Sequence, residues 1–119
     1  MQILVVDDSK AMRGIVIRAV RKAGFEASFV EAADGLEALH AIRADPPALV
    51  MADWNMPVMT GIELLQRLRA EGNGVKVGFV TSESDPRMRD VAFQAGAVFM
   101  LSKPFTSDTI KAVLQPVLS

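Results

Sequence analysis

Five short apolar runs punctuate the chain, at residues 3–6 (ILVV), 27–30 (ASFV), 48–52 (ALVMA), 75–80 (VKVGFV) and 98–101 (VFML). Most are apolar throughout or nearly so, the mark of strands covered on both faces in a parallel sheet between helical layers. The segments between them carry apolar residues at helical spacing. Met12, Ile15, Val16, Ala19 and Val20 form the first such stripe, with Gly24 as its stop. Asp34 with Glu37 reads as a capping pair ahead of Leu36, Leu39 and Ile42, and Asp45-Pro46-Pro47 ends that helix. Thr60 with Glu63 repeats the pattern before Ile62, Leu65 and Leu68, with Gly72 as terminator. Asp85 precedes a proline at the first helical position, Val91, Ala92 and Ala95 follow, and Gly96 closes the segment. The last helix, after Ser107, carries Ile110, Val113, Leu114 and Val117, and Pro116 is expected to kink or fray its final turn. Five strands alternating with five helices through right-handed crossovers predict a doubly wound α/β parallel sheet, with the whole chain, residues 1–119, as one domain.

Composition narrows what such a domain does. Its 119 residues are half hydrophobic and 23% charged, enough apolar material for one packed core. A formal charge of -1 gives no basis for the counterion-release attraction that drives general nucleic-acid binding, so no nucleic-acid partner is expected. With no cysteine, thiolate nucleophiles, disulfides and Cys-zinc sites are excluded. A single histidine, His40, cannot supply a multi-imidazole site, so a metal here is hard and oxygen-bound, with magnesium the natural candidate. Apolar runs reach five residues, against roughly 20 for a bilayer span. No secretory leader is visible at the start of the sequence, so a cytoplasmic protein without a membrane partner is expected.

In an open parallel α/β sheet the functional crevice lies beyond the carboxyl ends of the strands. The first run ends in Asp7-Asp8, the third in Asp53, the fourth in Thr81-Ser82 and the fifth in Ser102-Lys103-Pro104. Three carboxylates gathered in a partly desolvated cleft repel, and the cluster therefore calls for a cation, raised pKa values, or both. Magnesium with Lys103 would balance it. An aspartate can attack phosphorus to form an acyl phosphate while metal and lysine neutralise the transferring group, with Thr81 as a hydroxyl donor to a phosphoryl oxygen. Taken singly, Asp8 or Ser9 reads equally as a turn former or helix N-cap. It is the combination, each member closing a different strand, that points to chemistry.

Val5-Val-Asp-Asp-Ser9, Asp53-Trp-Asn-Met-Pro57 with Gly61, Val80-Thr-Ser-Glu83 and Lys103-Pro-Phe105 together resemble bacterial response-regulator receiver domains, especially single-domain CheY-like ones. The match covers nearly the whole chain. The resemblance implies a flavodoxin-like fold with strand order 2-1-3-4-5 and Asp53 as acceptor of a phosphoryl group from the phosphohistidine of a sensor kinase, CheA-like in kind. It further implies magnesium bound by the side chains of Asp8 and Asp53 and the backbone carbonyl of Asn55, with Asp7 positioning metal-bound water. By the same matching, Lys103 pairs with the phosphoryl group and Thr81 moves to bond it. Asn55 and Glu83, two residues beyond the acceptor and the threonine, resemble the chemotaxis type and imply fast self-dephosphorylation. The implied product is a monomeric switch that catalyses only its own phosphorylation and dephosphorylation. Its default downstream partner is a flagellar motor switch protein, although single-domain receivers also serve phosphorelays and stress pathways.

One position departs from the family pattern. Many receivers place Tyr or Phe three residues before the lysine, and here that place holds Met100, with Phe99 expected on the opposite face of the strand. Methionine is flexible enough to follow Thr81 in that role. Other residues have plainer readings. His40 is expected to be solvated, Arg13, Arg18 and Arg21 to form a basic helix face with Arg13 and Arg18 available for docking, and the seven methionines to fill the core. Trp54 either gates the pocket or covers the sheet edge. A magnesium-dependent hydrolase with an Asp nucleophile is the rival enzyme reading, but such hydrolases usually carry a second Asp two residues later, where this chain has Asn55 and no cap insertion. An unphosphorylated adapter is a third reading. Nucleotide binding is excluded for want of a G-x-G-x-x-G or G-K-[ST] loop after any strand.

Overall fold

The apolar runs become the strands of a single sheet. In a computed structural model, which describes residues 1–83 and 85–118, the strands are β1 (Gln2–Val6), β2 (Ser28–Ala32), β3 (Leu49–Asp53), β4 (Val77–Thr81) and β5 (Phe99–Ser102). They alternate with α1 (Lys10–Lys22), α2 (Gly35–Ala44), α3 (Gly61–Ala70), α4 (Pro86–Ala95) and α5 (Ser107–Leu118). All pairs are parallel, in the order β2-β1-β3-β4-β5. The order reverses between β1 and β3, which puts a crevice between the carboxyl ends of these two strands.

Alternation along each strand divides the core in two. Leu4, Val6, Val50, Ala52, Val77, Phe79 and Met100 face α2, α3 and α4, where Leu39, Ile42, Leu64, Leu65 and Leu68 meet them. Ile3, Val5, Leu49, Met51, Val80, Phe99 and Leu101 face the other way, against Val16 and Val20 of α1 and Ile110 and Leu114 of α5. Phe99 and Met100 therefore lie on opposite faces, as the two-residue period requires. With both faces dry, the strands hold the sheet's backbone rigidly, and polar chemistry is confined to its rims.

Local signals fix the helix ends. Thr60 Oγ1 accepts from Glu63 N while the Glu63 carboxylate accepts from Thr60 N, a complete capping box. At Asp34 only the first half of that exchange forms, the aspartate accepting from Glu37 N. Asp85 caps α4 ahead of Pro86, and Gly96 ends it in a left-handed conformation (φ +105°) that a side chain would strain.

Two expectations are corrected. The final turn of α5 is not frayed at Pro116, since the helix runs through it to Leu118. The strand β2 extends past Val30 to Glu31 and Ala32, because Val5 and Val6 of β1 offer them ladder partners. As the outermost strand, β2 has one wet side, and a charged residue there costs little. The expected domain, residues 1–119, closes on a residue outside the described ones.

Candidate functional site

β1 and β3 deliver three aspartates to the crevice. Asp7 and Asp8 follow directly on the last residue of β1, and Asp53 is the last residue of β3. One carboxylate oxygen from each can be chosen so that all three lie within 4.8 Å of one another. Asp7 is buried, Asp53 is partly buried and Asp8 is exposed, so the trio grades from the core to solvent.

A lysine from the far end of the sheet closes the group. Lys103 follows β5, and its Nζ lies 3.4 Å from Asp7 Oδ2 and 3.7 Å from Asp53 Oδ1. Its backbone N–H donates to the Thr81 carbonyl at 2.8 Å, which ties it to the end of β4. One ammonium against three carboxylates leaves the rim short of positive charge. Burial pushes the Asp53 carboxyl above its ordinary range, the Lys103 charge pulls it part of the way back, and the Asp7 charge raises it again. Backbone N–H groups of Asn55 and Trp54 donate to the same carboxylate and favour its ionised form.

Thr81 is fully buried at the end of β4, one residue beyond the partner of Asp53 in the sheet. Its Oγ1 accepts from Glu83 N at 3.2 Å. Asn55 and Glu83 are both exposed at the rim. Gly61 begins α3 against the backbone of Asp53: a Cβ there would fall 2.4 Å from the Asp53 carbonyl oxygen and 2.9 Å from the Phe79 ring. No side chain fits, which is why glycine stands at this place in the motif. Trp54 packs edge-on to Phe79 at 5.1 Å between ring centroids and is half-buried against the core beside Asp53.

The structure thus brings Asp7, Asp8, Asp53 and Lys103 together and places Thr81 and Asn55 on the neighbouring strand end and loop. Ser9 takes the plain role weighed for it, capping α1 by accepting from Met12 N. His40, Arg18 and Arg21 are exposed, as expected. Met51, Met56 and Met100 are buried, while Met1 is exposed and fills no core. Arg13 departs from the expectation of a basic helix face. Its side chain is only 13% exposed and reaches Glu31 and the Asp7 carbonyl.

The chain thus carries a doubly wound sheet with an acidic crevice at its reversal point, a buried threonine on the next strand and a lysine on the last, the setting in which the family match places a signalling receiver domain. The model of the response regulator receiver domain family matches residues 3–115, and the chain belongs to that family. Among its relatives, chemotaxis protein CheY-3 of Vibrio cholerae is 40% identical, with 98% of this chain and 91% of that protein covered. Chemotaxis protein CheY1 of Helicobacter pylori is 35% identical over 99% of this chain and 97% of its own length. A high-resolution structure of Vibrio cholerae chemotaxis protein CheY4 superposes with a TM-score of 0.86 at 34% identity, 98% of each chain being covered. Among the described residues, no helix is long and apolar enough to cross a membrane.

Proposed function

We propose that this chain is a phosphorylation switch of the chemotaxis type, a receiver unit over residues 1–119 that takes a phosphoryl group on Asp53 from a histidine kinase similar to CheA. A carboxylate oxygen of Asp53 attacks phosphorus, the P–N bond of the phosphohistidine breaks, and its electron pair leaves on the imidazole. Lys103, already beside Asp53, faces the oxygens of the incoming group. Among the described residues the Thr81 hydroxyl serves only as acceptor, from Glu83 N, and its proton is there to be given to a phosphoryl oxygen. Asn55 and Glu83 flank the acceptor and set how readily water returns to hydrolyse the acyl phosphate. Their identities match the short-lived kind.

The donor set suits a divalent cation: three carboxylates at a half-open rim, an excess of negative charge over Lys103, and oxygen ligands only. Asp8 and Asp53 would hold magnesium with their side chains and Asn55 with its carbonyl, while Asp7 would orient a bound water. The ion supplies charge neutralisation for phosphoryl transfer.

The observation that carries this reading is the Asp53 carboxylate held between Lys103 and two further aspartates at the sheet's reversal point. Incubation with a small-molecule phosphodonor and Mg2+, followed by intact mass, should show labile gain of one phosphoryl group. Asp53→Asn or excess EDTA should abolish it. Steady phosphate release from many monoesters would instead favour a hydrolase, and no mass change an adapter. The downstream partner in this reading is a motility component such as a flagellar motor switch protein, bound by the phosphorylated form in the cytoplasm. Capture of a phosphorelay or stress-pathway protein by the phosphate-mimic-loaded chain, and not by Asp53→Asn, would move the switch to that setting.

A further inference from the structure

Arg13 closes the first turn of α1 with its guanidinium turned inward, and its two hydrogen bonds lead to the turn after β1 and to β2. Nη1 donates to the Asp7 carbonyl oxygen at 2.7 Å, and Nε donates to Glu31 Oε1 at 2.9 Å. Glu31 is ladder partner to Val5, and the Asp7 N–H donates to the carbonyl of Ala32, the next residue of β2. The backbone of Asp7 is thus pinned on both sides, by β2 at its N–H and by Arg13 at its C=O. Its carboxylate is held as well: Oδ1 accepts from Ser9 N at 2.9 Å, and Oδ2 faces Lys103 at 3.4 Å. Every polar atom of Asp7 has a partner among the described residues, and two of these partners are side chains: Lys103 at the carboxylate and Arg13 at the backbone carbonyl.

We propose that Arg13, anchored by Glu31, is a positioning residue for the acidic rim, fixing the β1–α1 turn so that the Asp7 and Asp8 carboxylates converge on Asp53 and divalent-cation affinity is raised by a side chain that never touches the ion. The inference rests on the reading of the rim as a magnesium site. Groups that orient ligands from behind typically change metal affinity by ten- to a hundredfold, and the lower figure suits a contact made through the backbone.

Sign separates this role from simple electrostatics. Removing a cation near three carboxylates strengthens their attraction for Mg2+, whereas loosening the turn weakens binding. Calorimetric titration with MgCl2 alone tests which dominates. Arg13→Met keeps the apolar stem and removes both donors, and it should bind Mg2+ about tenfold more weakly than the unaltered chain. Arg21→Met makes the same charge change at an exposed position of the same helix, where the guanidinium lies over the Phe29 ring, and should bind at least as tightly as the unaltered chain. Glu31→Gln and Glu31→Ala share one charge change, and only the amide can still accept from Arg13 Nε, so the alanine should bind several-fold more weakly than the glutamine. That second pair decides the matter if Arg13→Met does not fold. Affinity unchanged or increased in Arg13→Met, with a lowered melting temperature in EDTA, would reduce the pair to a clasp between α1 and β2 and overturn the inference. Absence of any Mg2+ binding by the unaltered chain would instead remove the metal reading itself, and this inference with it.

Discussion

Gly61 shows how far one atom decides the site. Its missing Cβ leaves room for the carbonyl of Asp53 and the edge of Phe79, neither of which can retreat: one belongs to the backbone of β3, the other is fully buried. Gly61→Ala should therefore cost about 2–3 kcal/mol in urea unfolding, the range for forcing atoms into a packed interior, and should slow phosphorylation of Asp53 by displacing its backbone. The acids, Thr81 and Lys103 were legible in the sequence because each falls within two residues of the end of an apolar run, and a strand's end fixes where the next side chains go. Arg13 was not legible. Helical spacing sets it beside Arg18 and Arg21 on a basic stretch, and nothing local reveals that the Asp7 carbonyl just past β1 and a carboxylate on β2 lie within its reach.

At the scale of elements, α3 carries the most information about its own start. Thr60 and Glu63 satisfy each other's backbone N–H groups, so Thr60→Ala should lose about 1 kcal/mol, read as a lower urea midpoint. Because α3 begins where the loop after Asp53 ends, the same change should raise hydrogen exchange of that loop. Helix starts and stops were readable from the chain since caps act over three or four residues. Strand limits were less so: β2 gains Glu31 and Ala32 from its ladder with β1, a partner some 26 positions away in register (Val5 with Glu31), and the apolar run alone stops at Val30. The run of α5 through Pro116 likewise reflects packing of Ile110 and Leu114 against the sheet, which outweighs the local preference of one residue.

The molecule as a whole is poised against its own charge. Burial raises the Asp53 pKa from the ordinary 3.8 in the folded chain, so the neutral carboxyl is the form that folding prefers. Its contribution to stability is full below 3.8 and is lost as pH rises through the higher folded value. In EDTA, the stability of the unaltered chain relative to Asp53→Asn should fall across that window, as measured by urea midpoints at successive pH values. Added Mg2+ at neutral pH should then restore the unaltered chain more than the variant, because a ligand of the folded state stabilises in proportion to its occupancy.

The tryptophan beside Asp53 has a practical consequence. Trp54 is the chain's sole indole, lodged next to Asp53 and leaning on Phe79. Its emission can arise nowhere else in the protein, so the chain carries a built-in optical reporter at the rim, and ion entry or phosphoryl arrival can be timed by stopped-flow without attaching a dye.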